Sequence, residues 1–285
     1  MPSRVPPSSD SSTPTLRAEH RRSVLLTLAA CAGLVVPVGL PWANSRAVAA
    51  SASAERLPHT VTLQIRGEIR PSLLPEVKKA LAQTNGDPLP AGLLVLLDSQ
   101  GGDGLVAAEV GRLLRQADAH VFVTGRCASA CVFILMGGVV REAPDGALGV
   151  HRARLTRLDE KTGKRIEIDT TRSDRAARRL REGNATLQRY LRDMGVLDAF
   201  YALMEVTPVE SMRWLSRAEA RSLGVVGIEP EYLSRREAHL MRRYQIRQGD
   251  LERNTASVLS RCLGEAKAAS PNKFVQCYRL TLDRP

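Results

Sequence analysis

The feature that most restricts the fold is a short, wholly apolar run, LLVLL, at residues 93–97. Gly92 precedes it, and the polar stretch SQGG at residues 99–102 follows it. A strand that is buried on both faces carries apolar residues at every position, and parallel strands joined by helices are covered on both faces. The run therefore predicts a central strand of a parallel sheet with helices packed against it.

The segments around this run alternate between strand and helix patterns. Residues 59–65 (HTVTLQI) alternate like a strand, and residues 71–83 have the apolar spacing of a helix. After the run, residues 103–117 place their apolar side chains on one helical stripe, and residues 120–125 resemble a further strand. This order predicts an α/β fold in which right-handed helical crossovers join parallel strands.

The second half of the chain has more varied patterns. Residues 128–138 are apolar all round, which predicts a helix inside the protein, and residues 147–151 predict a short strand. A hairpin is expected over residues 154–168, with Thr162 and Gly163 at its tip, and a long basic amphipathic helix over residues 172–195.

Further along, Ser216 begins a capping-box pattern with Glu219. The chain after Pro230 is expected to be helical, arginine-rich and peripheral.

The first 50 residues have the composition of an export signal. Residues 1–16 are rich in Pro and Ser and are expected to be disordered. Arg21 and Arg22 then precede an uncharged run at residues 24–40, and the small residues that follow fit signal-peptidase cleavage near Ala49. The arginine pair resembles a twin-arginine signal. We therefore predict an exported protein, periplasmic or secreted.

Two other forms of the leader fit the sequence less well than a cleaved signal. A lipoprotein site at Cys31 fits less well because the apolar run continues beyond it, and Pro37 and Pro41 disfavour a retained membrane anchor. The predicted organisation is a leader at residues 1–50, an α/β domain at 59–233 and a helical extension at 234–285.

Four cysteines remain beyond the leader: Cys127, Cys131, Cys262 and Cys277. Thiols tend to oxidise in an exported protein, so this even number indicates disulfides. Proximity in the sequence favours Cys127 with Cys131 and Cys262 with Cys277, of which the second would close a loop in the C-terminal extension. No histidine lies at ligand spacing beside either pair, so we predict no metal, and no cofactor is predicted either.

The charge of the chain restricts its partners. There are 41 Lys and Arg against 30 Asp and Glu, a formal net charge of +11, with only 4% aromatic residues. The arginines are not interleaved with aromatic residues as in single-strand binders, and an exported protein does not meet nucleic acid, so no nucleic-acid partner is predicted. A solvated basic surface is the simplest interpretation, and association with an anionic membrane surface or an acidic partner stays open.

A candidate catalytic site follows from the strand and helix order. Gly101 and Gly102 end the central strand, and Ser129 opens the buried helix. The amides of Gly102 and Ala130 are expected to face a carbonyl oxygen that the Ser129 hydroxyl attacks, as in an oxyanion hole. A serine needs a base, and His151 ends the strand that follows the helix. A small capping residue and a structural histidine are the alternative interpretations.

The segments LQIRGEI, LLVLLDSQGGDGLVAAEVGRLL, TGRCASACVFILMGG, APDGALGVHRA and WLSRAEARSLGVV occur in this order between residues 59 and 233. In order and spacing they resemble the proteolytic subunit of the Clp protease, within the Clp protease and crotonase fold. The resemblance implies a spiral of β-β-α units, with Ser129 as nucleophile, His151 as general base, and oxyanion donors from Gly102 and Ala130.

The sequence departs from this family in two places. The aspartate that completes the family's triad would fall near Thr207 and Pro208, where no carboxylate occurs, so Glu205 and Glu210 are the candidates to orient His151. The family also lacks the cysteines on either side of Ser129.

Two functions from different classes remain. The first is an exported serine hydrolase, a peptidase acting on a peptide or protein by acyl transfer. The second is a non-catalytic binding or scaffold protein that keeps the fold. A homo-oligomer is left open.

Overall fold

The computed structural model describes residues 51–57, 60–84, 92–159, 161–244, 247–267 and 271–282, all within one compact unit. The predicted leader, including Cys31 and the cleavage site near Ala49, lies outside the described residues. None of the helices in the described ranges has the length and apolar character needed to cross a membrane.

The described strands and helices alternate through most of the chain. The strands are β1 (Ser51–Leu57), β2 (Thr60–Ile69), β3 (Leu93–Gly102), β4 (His120–Ala128), β5 (Val140–Glu142), β6 (Leu148–Val150), β7 (Thr156–Leu158), β8 (Arg165–Glu167), β9 (Arg213–Leu215) and β10 (Gly227–Ile228). The helices are α1 (Leu73–Leu81), α2 (Gly104–Gln116), α3 (Cys131–Met136), α4 (Asp174–Asp193), α5 (Asp198–Val206), α6 (Arg217–Ser222), α7 (Pro230–Tyr244), α8 (Gln248–Lys267) and α9 (Pro271–Leu282).

The main sheet is parallel at its centre, which confirms the predicted α/β class. Its order is β1-β2-β3-β4-β5-β10, and β2, β3, β4 and β5 pair in parallel. Strand β4 has two neighbours on the same side, because its first half pairs with β5 and its last residues pair with β6. The end of β6 therefore lies beside the end of β4.

One face of the sheet is covered by α1, α2 and α3. Leu63, Val95 and Val121 of the central strands lie in the same buried cluster as the apolar side chains of these helices. All six residues of α3 are buried, which confirms the predicted helix inside the protein. A helix with no polar face can exist only where other elements surround it.

The opposite face is covered by the C-terminal helices, so the peripheral location predicted for them is wrong. Leu94, Leu96 and Phe122 point to this face and pack in one cluster with Val258 of α8 and Phe274 of α9. Successive strand residues alternate between faces, so a strand that is apolar throughout needs a second layer. The helices after Pro230 supply it.

A buried polar cluster fastens this second layer to β4. His120, 3% exposed, is hydrogen bonded through Nε2 to the hydroxyl of Tyr232 (2.9 Å) and through Nδ1 to the hydroxyl of Tyr278. Burial lowers the pKa of His120 to about 3. The imidazole is therefore neutral at physiological pH and acts as a structural link.

Two local predictions about the connections are confirmed. Strands β7 and β8 form an antiparallel hairpin, and Gly163 in its turn has a φ of 66°. Ser216 and Glu219 form the capping box that begins α6.

Candidate active site

Ser129 lies at the corner between the end of β4 and the start of α3, and it is partly buried. Its φ is 54°, in the left-handed region that residues other than glycine rarely adopt. This conformation costs an L-residue roughly 1–2 kcal/mol, and strain of this kind is concentrated at functional sites. The sequence contained no signal for it, because serine is not a residue that favours a positive φ.

One covalent bond and one hydrogen bond hold this corner in place. A disulfide joins Cys127 to Cys131, with Cα atoms 5.2 Å apart, so Ser129 is the middle residue of the bridged turn. The Ser129 amide donates to the carbonyl of Gly149 on β6 (2.8 Å). The corner is therefore fixed both along the chain and across to the neighbouring strand.

The glycine pair at the end of β3 lies directly against the corner. A Cβ atom on Gly101 would lie 2.7 Å from the Cβ of Ser129 and 3.0 Å from the amide nitrogen of Ala130. A Cβ atom on Gly102 would lie 2.3 Å from the carbonyl oxygen of Ile69. Both glycines have positive φ angles, 99° and 146°. Only glycine allows this close backbone approach.

The Ala130 amide is a donor for which the described residues provide no acceptor. The residue is 2% exposed, and within the described ranges its N–H makes no hydrogen bond. Buried backbone amides are nearly always paired, so an exception needs an explanation. A bound acceptor such as a carbonyl oxygen would satisfy this donor.

His151 follows the last residue of β6. Ala128 and Gly149 are register partners, so Ser129 and His151 leave neighbouring strand ends, which lie about 4.8 Å apart in a sheet. The Nδ1–H of His151 donates to the carbonyl of Arg152 (2.8 Å). Since a carbonyl only accepts, this bond selects the tautomer of the neutral imidazole that has its proton on Nδ1 and its acceptor at Nε2.

The backbone around His151 is itself fixed. The Arg152 amide donates to the carbonyl of Thr207 (2.9 Å). Within the described residues, the Ser129 hydroxyl makes no hydrogen bond with His151.

Neither predicted orienting carboxylate is a hydrogen-bond partner of His151 in the described part of the chain. Glu210 is exposed, and the Oε1 atom of Glu205 is buried with no hydrogen-bond partner among the residues that the structure describes. Burial, together with the charge of Glu205, raises the pKa of Tyr201. The group that orients the imidazole is instead the main-chain carbonyl of Arg152, which no side-chain pattern in the sequence could indicate.

The second predicted cysteine pair is also bonded. Cys262 and Cys277 connect α8 to α9, with Cα atoms 5.7 Å apart. Across the described residues, no three His, Cys, Asp or Glu side chains are grouped so that they could hold a metal ion.

Comparisons with known proteins give matches in structure and none in sequence. No family model and no curated protein matches the chain. A mutant of ClpP1 from Listeria monocytogenes is similar in structure, with 19% identity over 58% of this chain and 88% of that one and a TM-score of 0.42. A mutant of the 1510-N membrane-bound stomatin-specific protease has 16% identity over 57% of this chain and 75% of that one, with a TM-score of 0.41.

Proposed function

We propose that this chain is an exported serine hydrolase, a peptidase that cleaves peptide or protein substrates by acyl transfer. The Ser129 hydroxyl attacks the substrate carbonyl carbon while His151 Nε2 takes its proton. The amides of Ala130 and Gly102 donate to the oxyanion that forms. His151 then protonates the leaving amine, and water releases the acyl group from Ser129 by the same steps in reverse.

Two features of neighbouring residues carry the proposal together. They are the strained backbone of Ser129 and the amide of Ala130, for which the described residues provide no acceptor. Ser129 is in the left-handed region, and the next amide, that of Ala130, is buried with no acceptor among the described residues. A residue that only caps a helix does not need the left-handed conformation, whereas an amide without an intrahelical acceptor is common to helix starts. A nucleophile beside an oxyanion donor accounts for both.

The orienting group affects the expected rate. The Arg152 carbonyl fixes the tautomer and the orientation of the imidazole, as the aspartate of a triad does. It has no full negative charge, however, and so stabilises the imidazolium less than a carboxylate would. We expect turnover below that of an enzyme with a complete triad.

Labelling of the mature, oxidised protein with an alkyl fluorophosphonate tests this function. Wild type should be labelled covalently, Ser129→Ala should not, and His151→Ala should react at least about a hundredfold more slowly, the usual size of a general-base contribution. Glu205→Gln and Glu210→Gln should react like wild type. Folded wild type that resists the probe across pH 6 to 9 would contradict the proposal.

A non-catalytic binding or scaffold protein is the second candidate, and one observation favours it. The Ser129 hydroxyl and His151 are not hydrogen bonded in the described structure. If His151→Ala changes nothing in any assay while substitution of surface arginines abolishes partner capture, this function replaces the first.

A further inference from the structure

The segment that follows His151 crosses the edge of the sheet where Ser129 lies. It leaves the end of β6, forms the hairpin β7–β8 and is hydrogen bonded to the end of β2 at Ile69. In the sheet, β3 and β4 separate β6 from β2, so these two points are three strand spacings apart, roughly 14 Å. Residues 152–159 and 161–165, here the crossing segment, therefore pass the carboxyl ends of β3 and β4.

One carboxylate anchors the crossing segment at its far end. Glu68 Oε1 accepts a hydrogen bond from Arg165 Nε of β8, and Glu68 Oε2 accepts from Arg70 Nη2 (2.7 Å) and Nε (3.1 Å). The side chains of Glu68, Arg70 and Arg165 are 14%, 21% and 22% exposed. A carboxylate that is shared by two part-buried guanidinium groups holds more firmly than an exposed ion pair.

The same arginines also bind backbone on both sides of the contact. Arg70 Nη2 donates to the carbonyl of Gly163 in the hairpin turn, and Arg165 Nη2 donates to the carbonyl of Ile69, both at 3.3 Å. The Ile69 carbonyl also accepts from the amide of Asp103 (2.9 Å), directly after Gly102. The anchor is thus attached to the backbone that positions one proposed oxyanion donor.

We propose that Glu68 is a positioning residue that holds the crossing segment over Ser129 and so limits the size of the acyl group that reaches the hydroxyl. This inference rests on the proposed function. Without the Glu68 carboxylate, the hairpin loses its ionic link to the end of β2 and is held there more weakly, by the hydrogen bonds of Arg70 and Arg165 to main-chain carbonyls. A substrate with a large acyl group can then reach the Ser129 hydroxyl, whereas one with a small acyl group already reaches it in wild type.

Two serine-reactive probes of different size test the inference on the full, oxidised protein. One is a small alkyl fluorophosphonate and the other a hexapeptidyl diphenyl phosphonate. In Glu68→Gln the second-order rate constant of the peptidyl probe should rise about tenfold, the change expected from losing a hydrogen bond to a charged group. The alkyl probe should change by less than about twofold. General destabilisation would instead slow both probes together.

Glu167→Gln is the matched control. It removes the ion pair between Glu167 and Arg154 on the same hairpin, where the two atoms are 3.2 Å apart and the side chains are 49% and 44% exposed. Exposed pairs contribute little, so both probes should react with this variant as with wild type. Arg165→Gln tests the anchor from its other side if Glu68→Gln does not fold.

Hydrogen exchange of residues 155–168 separates this inference from the proposed function. Faster exchange in Glu68→Gln together with an increased peptidyl rate supports the anchor and its effect on access. Wild type that is labelled, with unchanged rates for both probes in Glu68→Gln, overturns the inference and leaves the hydrolase standing. If neither probe labels wild type, the hydrolase and the role in access both fail, and exchange then reports on the anchor alone.

Discussion

His120 should make the stability of the protein depend on pH in a range where carboxylates are still charged. The imidazole is 3% exposed and hydrogen bonded to Tyr232 and Tyr278, and burial lowers its pKa to about 3. In the unfolded chain a histidine titrates near 6.5. Protons therefore bind the unfolded state first, and stability is lost as the pH falls below about 6.5.

The size of this effect follows from the two pKa values. Between pH 7 and pH 5 the folded imidazole stays neutral while the unfolded one becomes almost fully protonated. The free energy of unfolding should then fall by about 2 kcal/mol from this residue alone. Most carboxylates titrate below pH 5, and the comparison of wild type with His120→Gln removes the contribution of other groups, such as Glu142, whose pKa burial raises.

Urea unfolding of the oxidised protein at pH 7 and pH 5 measures this difference. His120→Gln should be less stable than wild type at pH 7 because the hydrogen bonds to the tyrosines are weakened, but it should lose about 2 kcal/mol less between the two pH values. His239→Gln, at an exposed position of α7, is the control and should behave like wild type. Equal losses in wild type and His120→Gln would refute the reasoning, as would an NMR titration of His120 near pH 6.5.

Three further predictions concern the corner, the glycine pair and the second disulfide. Ser129→Gly should be more stable than Ser129→Ala by about 0.5–1 kcal/mol in urea unfolding, since glycine relieves the left-handed strain; the reverse order would exclude that strain. Gly101→Ala should abolish fluorophosphonate labelling and destabilise by at least about 2 kcal/mol, because its Cβ would lie 2.7 Å from the Cβ of Ser129. Gly183→Ala, with nothing within 4 Å, should be neutral or stabilising, and similar effects of the two substitutions would contradict the packing argument. Replacing Cys262 and Cys277 with serine should lower the unfolding free energy by about 3 kcal/mol, the expectation for a loop of this length, and an unchanged midpoint would contradict it.

Elements whose pattern repeats over several residues could be predicted from the residues alone. The apolar run at 93–97 identified β3, and the helical stripe after it identified α2. Local turn chemistry indicated the hairpin tip at Gly163 and the capping box at Ser216. These features depend on residues that are close together in the chain, so the local sequence is sufficient to predict them. Strands of two or three residues, such as β5 and β10, are too short for any period to be visible.

How the ends of distant elements meet became visible only in the folded structure. The side-chain pattern favoured Glu205 or Glu210 beside His151, whereas the imidazole is hydrogen bonded to the carbonyl of Arg152. Every residue has a main-chain carbonyl, so a hydrogen-bond partner of this kind cannot be recognised from the residue types in the sequence. Ser129 likewise has its positive φ at a corner where the disulfide, the hydrogen bond to β6 and the glycine pair meet. Such contacts are fixed by packing between segments that are remote in the chain.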